Sequence, residues 1–139
     1  LQPGTLAVAA ATLTGGAAFS PAAGCTLALG GVSGGSDVQK LGAGTLALTG
    51  AAAYAGDTFL TSGTLALDAA RLPATTDLHV TSGATLNLAF TGKQFIHALF
   101  VDGAPMPGGQ YTAAKVSWIT GPGTLVVTYP PVGTALMLR

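Results

Sequence analysis

The chain has 139 residues, of which 49% are hydrophobic and 7% charged, and its formal net charge is zero. That length predicts one domain, and the charge balance excludes the basic face that a nucleic-acid partner requires. It also gives no electrostatic attraction to an anionic membrane, and no apolar run approaches the ~18 residues of a transmembrane helix.

In chain order, strands are predicted over residues 5–9, 12–14, 26–29, 38–41, 45–49, 58–61, 64–67, 78–81, 85–90, 98–101, 116–119, 124–129 and 134–138. Each is short, rich in Thr, Val and Leu, and bounded by Gly. Helix is nearly excluded, because Gly or Pro interrupts most windows and β-branched residues fill the rest. Ala51-Ala52-Ala53 and Ala69-Ala70-Arg71-Leu72 favour helix locally but are too short to hold one, and read as corners. The parity of each strand turns Leu46 and Leu48 inward and Thr45, Ala47 and Thr49 outward. Cys25 shares the parity of Leu27 and Leu29, so it is expected on the inner face; as the only cysteine it has no internal disulfide partner. The phrase Asp102-Gly103-Ala104-Pro105-Met106-Pro107-Gly108-Gly109 reads as a long loop. Pro130-Pro131 ends the sheet, since neither can donate to a ladder. The expected division is a body over residues 1–129 and a Pro-Pro linker with a strand-like tail over 130–139.

A phrase recurs along this series of strands. Gly4-Thr5-Leu6-Ala7-Val8, Gly44-Thr45-Leu46-Ala47-Leu48, Gly63-Thr64-Leu65-Ala66-Leu67 and Gly123-Thr124-Leu125-Val126-Val127 are near-copies. Gly24-Cys25-Thr26-Leu27-Ala28-Leu29 and Gly83-Ala84-Thr85-Leu86-Asn87-Leu88 carry one inserted residue. The threonines fall at 5, 26, 45, 64, 85 and 124, at spacings of 21, 19, 19, 21 and 39. A fixed period of roughly 20 residues built on alternating apolar positions signals a β-solenoid. The expected fold is all-β, a right-handed parallel β-helix of about seven coils stacked at ~4.8 Å. Leu27, Leu46, Leu65, Leu86 and Leu125 are expected to form one inward ladder.

Residues 40–67 contain Lys40-Leu41-Gly42-Ala43-Gly44-Thr45-Leu46-Ala47-Leu48-Thr49-Gly50, then Tyr54-Ala55-Gly56-Asp57-Thr58, then Ser62-Gly63-Thr64-Leu65-Ala66-Leu67. This run resembles the autotransporter-associated β-strand repeat, also called the passenger-associated transport repeat. Ala52-Ala53 stands where that repeat usually has Asn-Thr before the tyrosine. The resemblance implies a parallel β-helix that is secreted or held on a bacterial surface. It brings no catalytic residues, because the repeat's signature is structural.

The residues themselves point to no catalytic, cofactor or metal site. His79 and His97 lie 18 residues apart with no Cys or Glu at ligand spacing. Asp37 and Asp57 stand one period apart, where turn aspartates are the commoner reading. No Gly-x-Ser-x-Gly elbow, third dinucleotide glycine or calcium-binding nonapeptide is present. Tyr54, Tyr111 and Trp118 offer rings to a sugar, but core packing suits large rings in a thin solenoid better. The expectation is therefore a non-enzymatic structural protein whose partners are copies of itself, joined head to tail into a fibre. The interface is expected between Thr5, Leu6 and Val8 of one copy and Thr134, Leu136 and Leu138 of the next. The alternative is a passenger or adhesin segment that contacts a host surface or glycan. The absence of an initiator Met suggests a processed product or a fragment of a longer solenoid.

Overall fold

Alternation of apolar and small polar residues turns one side of each short strand inward, and a strand of three or four residues can bury that side only by stacking on its copies. The chain is seen in a computed structural model, which describes residues 5–8, 11–13, 17–50 and 52–129. The first turn contains β1 (Thr5–Val8), β2 (Ala11–Leu13) and β3 (Ala17–Phe19). The second contains β4 (Thr26–Leu29), β5 (Val32–Gly34) and β6 (Val38–Lys40), and the third β7 (Thr45–Leu48), β8 (Ala52–Tyr54) and β9 (Thr58–Leu60). The fourth has β10 (Thr64–Leu67) and β11 (Asp77–Val80) with no strand between them. β12 (Thr85–Leu88), β13 (Lys93–Ile96) and β14 (Ala98–Val101) follow. The described chain ends with β15 (Ala104–Pro105), β16 (Gly109–Tyr111), β17 (Ile119–Thr120) and β18 (Thr124–Val127). Among the described residues there is no helix.

Successive turns pair in parallel, in register and one turn apart. β1, β4, β7, β10, β12 and β17 form one six-stranded sheet; β3, β6, β9, β11, β14 and β15 form a second. β2, β5 and β8 make a third sheet, and β13, β18 and β16 a fourth. In the first sheet Leu6, Leu27, Leu46, Leu65, Leu86 and Ile119 share one position. Val8, Leu29, Leu48, Leu67 and Leu88 share a second register position, at which the four leucines face inward. Leu46, Leu65, Leu67, Leu86 and Leu88 are fully buried, whereas Leu27 is half-buried. Each fully buried leucine contributes about 2 kcal/mol by removal from water.

The structure corrects the expected coil count. The stack has about four turns, not seven. Five Gly-Thr-Leu rungs bound those turns, and the sixth phrase leaves their ladder. Leu125 is buried, but it faces Gln94 in the fourth sheet, and Ile119 stands above Leu86 in its place. The reason is the chain between Asp102 and Thr124. It spends itself mostly on β15 and β16, both antiparallel to their neighbours, and returns only the two-residue β17 to the parallel ladder. Two local expectations change with it. Residues 52–54 form β8 instead of a corner, and residues 116–118 lie in a turn, leaving only Ile119 and Thr120 in a strand.

Corners stack as tightly as strands, which sets where glycine is required. A Cβ on Gly50 would lie 1.4 Å from the carbonyl oxygen of Gly30 in the turn below. Gly63 has φ +73°, and a Cβ there would sit 2.4 Å from both Gly42 O and Gly44 O and 2.5 Å from Lys40 Nζ. Both contacts are shorter than any side chain tolerates, and the positive φ adds its own penalty for other residues.

Candidate functional site

The polar groups that the fold handles specially fall in three places: the interior, one outer sheet face, and the two ends. Interior polar groups need partners, because an unpaired one costs about 1–3 kcal/mol. β6 alternates Val38 inward, Gln39 outward and Lys40 inward, so a lysine occupies a core position and is fully buried. Its Nζ donates to Leu41 O at 2.7 Å, Gly42 O at 2.9 Å and Ser62 O at 2.9 Å. Three ammonium hydrogens thus meet three carbonyls drawn from two successive turns. Burial holds the Lys40 pKa below its usual value. A second interior chain runs from the Tyr54 hydroxyl to Thr58, from Thr58 to Thr76 at 2.8 Å, and from Thr76 to Gly56 O at 3.0 Å. Burial pushes the Tyr54 phenol up to about 12. The third is Gln94, buried on β13. Its Oε1 accepts Leu72 N–H at 2.9 Å and its Nε2 donates to Leu72 O at 2.9 Å. Ala52 N–H in turn donates to Arg71 O at 3.2 Å. The side-chain amide thus stands in for the strand missing between β10 and β11.

The outer face of the second sheet gathers most of the acids. Val38, Thr58 and Leu78 are register partners facing inward, so the residues just before them, Asp37, Asp57 and Asp77, stack on successive rungs. Asp37 Oδ1 accepts Asp57 N–H at 2.8 Å. Two residues further along, Gln39, Phe59, His79 and Phe100 form a parallel row. His79 lies between the two phenylalanines, with ring centroids 4.4 Å from Phe59 and 4.7 Å from Phe100 and planes within 10°. His79 Nε2 is 3.6 Å from Asp57 Oδ2, is sealed from solvent and has no hydrogen-bond partner. His97 Nδ1 contacts Asp77 Oδ1 at 2.7 Å, and the His97 ring stacks on Tyr129 at 4.8 Å. Asp102 lies past the other end of these strands, one residue beyond β14: its carboxylate accepts the Ser82 hydroxyl and the Ser82 N–H, and these bonds hold its pKa below the usual carboxylate value. Among the described residues no group of three or more His, Cys, Asp or Glu is placed to hold a metal ion.

The ends differ. Among the described residues, no strand pairs with the outer edges of β1, β2 and β3. At the other end β15 folds back antiparallel on β14 and carries Pro105, which has no N–H to offer. β16 folds back on β18, and Lys115 Nζ reaches Gln110 O at 3.2 Å while lying 4.6 Å over the Tyr111 ring. A proline, a lysine and very short antiparallel strands are the devices that blunt a sheet edge.

Of the residues expected at an interface, Thr5, Leu6 and Val8 lie in β1 at the open edge. Thr134, Leu136 and Leu138 lie outside the described residues. Cys25 lies one residue before β4 and is half-buried, as is Leu27 two residues later. Tyr54 and Tyr111 are buried and Trp118 packs against the core, so the rings turned to solvent are Phe95, 44% exposed, and Tyr129, 52% exposed. Lys40 and Gln94 were missed as interior residues, although each shares strand parity with a buried neighbour, Val38 and Ile96 respectively. No helix among the described residues is long and apolar enough to cross a membrane.

Residues 38–67, from the start of β6 to the end of β10, match the family model of the passenger-associated transport repeat. No curated protein and no solved structure gave a match to the chain. The matched segment supplies the Lys40 corner, the Tyr54–Thr58 hydroxyl bond and two of the stacked rungs, β7 and β10, and the chain is thus a β-solenoid with a segment that fits the passenger-associated transport repeat.

Proposed function

We propose that the chain is a structural, non-catalytic segment of a passenger-type protein, secreted or held on a bacterial surface, that joins other copies end to end. The repeat family supports the setting. One observation supports the assembly reading: among the described residues no strand covers the parallel edges of β1, β2 and β3, while two of the sheets end at the other side in the antiparallel strands β15 and β16. Blunting disfavours rung-on-rung stacking of one copy's last turn on the next copy's first. The donor is instead the strand-like phrase Gly133-Thr134-Ala135-Leu136-Met137-Leu138, beyond Pro130-Pro131 and outside the described residues. Adding that strand to β1 of the next copy supplies main-chain hydrogen bonds and seats for Leu136 and Leu138. Such a contact does not close on itself, so it propagates.

Electron microscopy of the intact chain beside a truncation after Tyr129 tests this reading. The intact chain is expected to form long fibres and the truncation monomers or short rods. Fibres from the truncated chain remove the tail as connector; a monomeric intact chain at high concentration removes the fibre and leaves a passenger segment. A second reading, adhesion to a glycan or host surface, is favoured by the exposed Phe95 and Tyr129 rings. It requires that replacing both with Ala abolish binding on a glycan array.

A further inference from the structure

The hairpin that ends the second sheet turns on Asp102-Gly103. Val101 pairs with Ala104, so these two residues are the whole loop between β14 and β15. Both have positive φ, 51° and 82°, and Asp102 is the one non-glycine with positive φ among the described residues. A two-residue turn of this hand favours Asp-Gly, because both positions must tolerate the left-handed region. The same pair is chemically labile. The peptide nitrogen of Gly103 has no Cβ beside it to shield it from the Asp102 side chain. The other aspartates precede Val38, Thr58, Ala69 and Leu78, each of which places a Cβ there. Asp102 and Gly103 are both exposed.

In the labile step the Gly103 nitrogen attacks Cγ of Asp102. A C–N bond forms, the nitrogen gives its proton to solvent, and one carboxyl oxygen leaves as water, closing a succinimide ring. Water then reopens the ring. Addition at Cγ restores aspartate. Addition at the Asp102 backbone carbonyl carbon breaks its bond to Gly103 and leaves the chain running through Cβ, as isoaspartate, with no change of mass. Loss of water requires a protonated carboxyl and a side chain free to turn onto its own backbone. Ser82 opposes both. Its N–H donates to Oδ1 at 2.8 Å and its hydroxyl donates to Oδ2, so both oxygens are tied to the preceding turn. These bonds favour the ionised carboxylate, in line with its lowered pKa. Asp102 N–H donates to Val80 O at 2.9 Å and fixes the backbone at the same corner.

We propose that Asp102-Gly103 is a site of spontaneous isoaspartate formation, guarded by Ser82, which holds the Asp102 carboxylate on the preceding turn. Isomerisation lengthens the backbone inside a two-residue loop and so loosens β15 from the edge of β14. Incubation of the intact chain at physiological temperature and neutral pH, followed by tryptic mapping, tests it. The tryptic peptide of residues 94–115 holds Asp102 and no other Asp or Asn, so an isomer of unchanged mass there reports this site. Ser82→Ala should form isoaspartate about fivefold faster than the wild type, the scale of one exposed hydrogen bond to a charge. A synthetic peptide of residues 94–115, which lacks Ser82, should react faster still. Circular dichroism melts establish whether Ser82→Ala folds. If it does not, the wild type with and without urea supplies the comparison, and the folded chain should be the slower. In the isolated isoaspartyl chain, hydrogen exchange should accelerate at the Met106 amide, which donates to Leu99 O at 2.8 Å across the hairpin. Four results would overturn the proposal: equal rates in the wild type and folded Ser82→Ala, a folded chain as fast as the free peptide or the urea-unfolded chain, isoaspartate appearing first at another aspartate, or unchanged Met106 exchange in the isoaspartyl chain.

Discussion

Lys40 ties two turns together from inside. A buried ammonium is costly unless every hydrogen finds an acceptor, and here Leu41 O, Gly42 O and Ser62 O supply all three. Lys40→Met keeps the apolar stem but strips those carbonyls of their donor. It is expected to lower unfolding stability by about 3 kcal/mol, read from urea denaturation. Tyr54 gives the pH counterpart. Its folded pKa, about 12, lies above the usual 10.0, so the folded chain keeps a proton that the unfolded chain loses. That contribution is fully present below pH 10 and disappears as pH rises toward about 12. It amounts to about 3 kcal/mol. Alkaline melts of the wild type should fall across that window, and Tyr54→Phe should flatten the slope while losing the bond to Thr58.

At the scale of elements, the rungs that carry Gly-Thr-Leu were legible because Leu and Thr alternate at period 2 and recur at a fixed spacing. β3, β5 and β8 were not, because Ala17–Phe19, Val32–Gly34 and Ala52–Tyr54 consist mostly of small residues whose strand form depends on the turn below. The phrase at Gly123 looked like another rung, but pairing decides membership, and β18 finds β13 and β16 instead of β12. Lys40 and Gln94 were hidden for a related reason. A charged or amide side chain reads as outward until its parity is matched with backbone groups far along the chain. Gln94 makes the point measurable. Gln94→Leu should keep the volume but leave Leu72 N–H and C=O without partners, at a cost of about 2 kcal/mol. Hydrogen exchange at the Leu72 amide should then accelerate, while exchange at Leu46 should hold.

For the whole molecule, the core is a column of leucines two positions wide, wrapped by about four turns. Its charge distribution was not legible in a net charge of zero. Only stacking at a period of 20 residues brings Asp37, Asp57 and Asp77 onto one face. The difference between its ends was likewise invisible, since it rests on the antiparallel return of β15 and β16. The faces, corners and ends all depend on the inward and outward register of the rungs, and adjacent residues on one rung test it. Thermal unfolding of Leu65→Asp beside Thr64→Asp is the direct measurement. Leu65 is 1% exposed, so an aspartate there buries an unpaired charge and is expected to cost several kcal/mol, about 4 or more, or to prevent folding. Thr64 is half-buried on the outer face, and its variant should lose less than about 1 kcal/mol. Equal losses, or a larger loss at Thr64, would contradict the stacked-rung account.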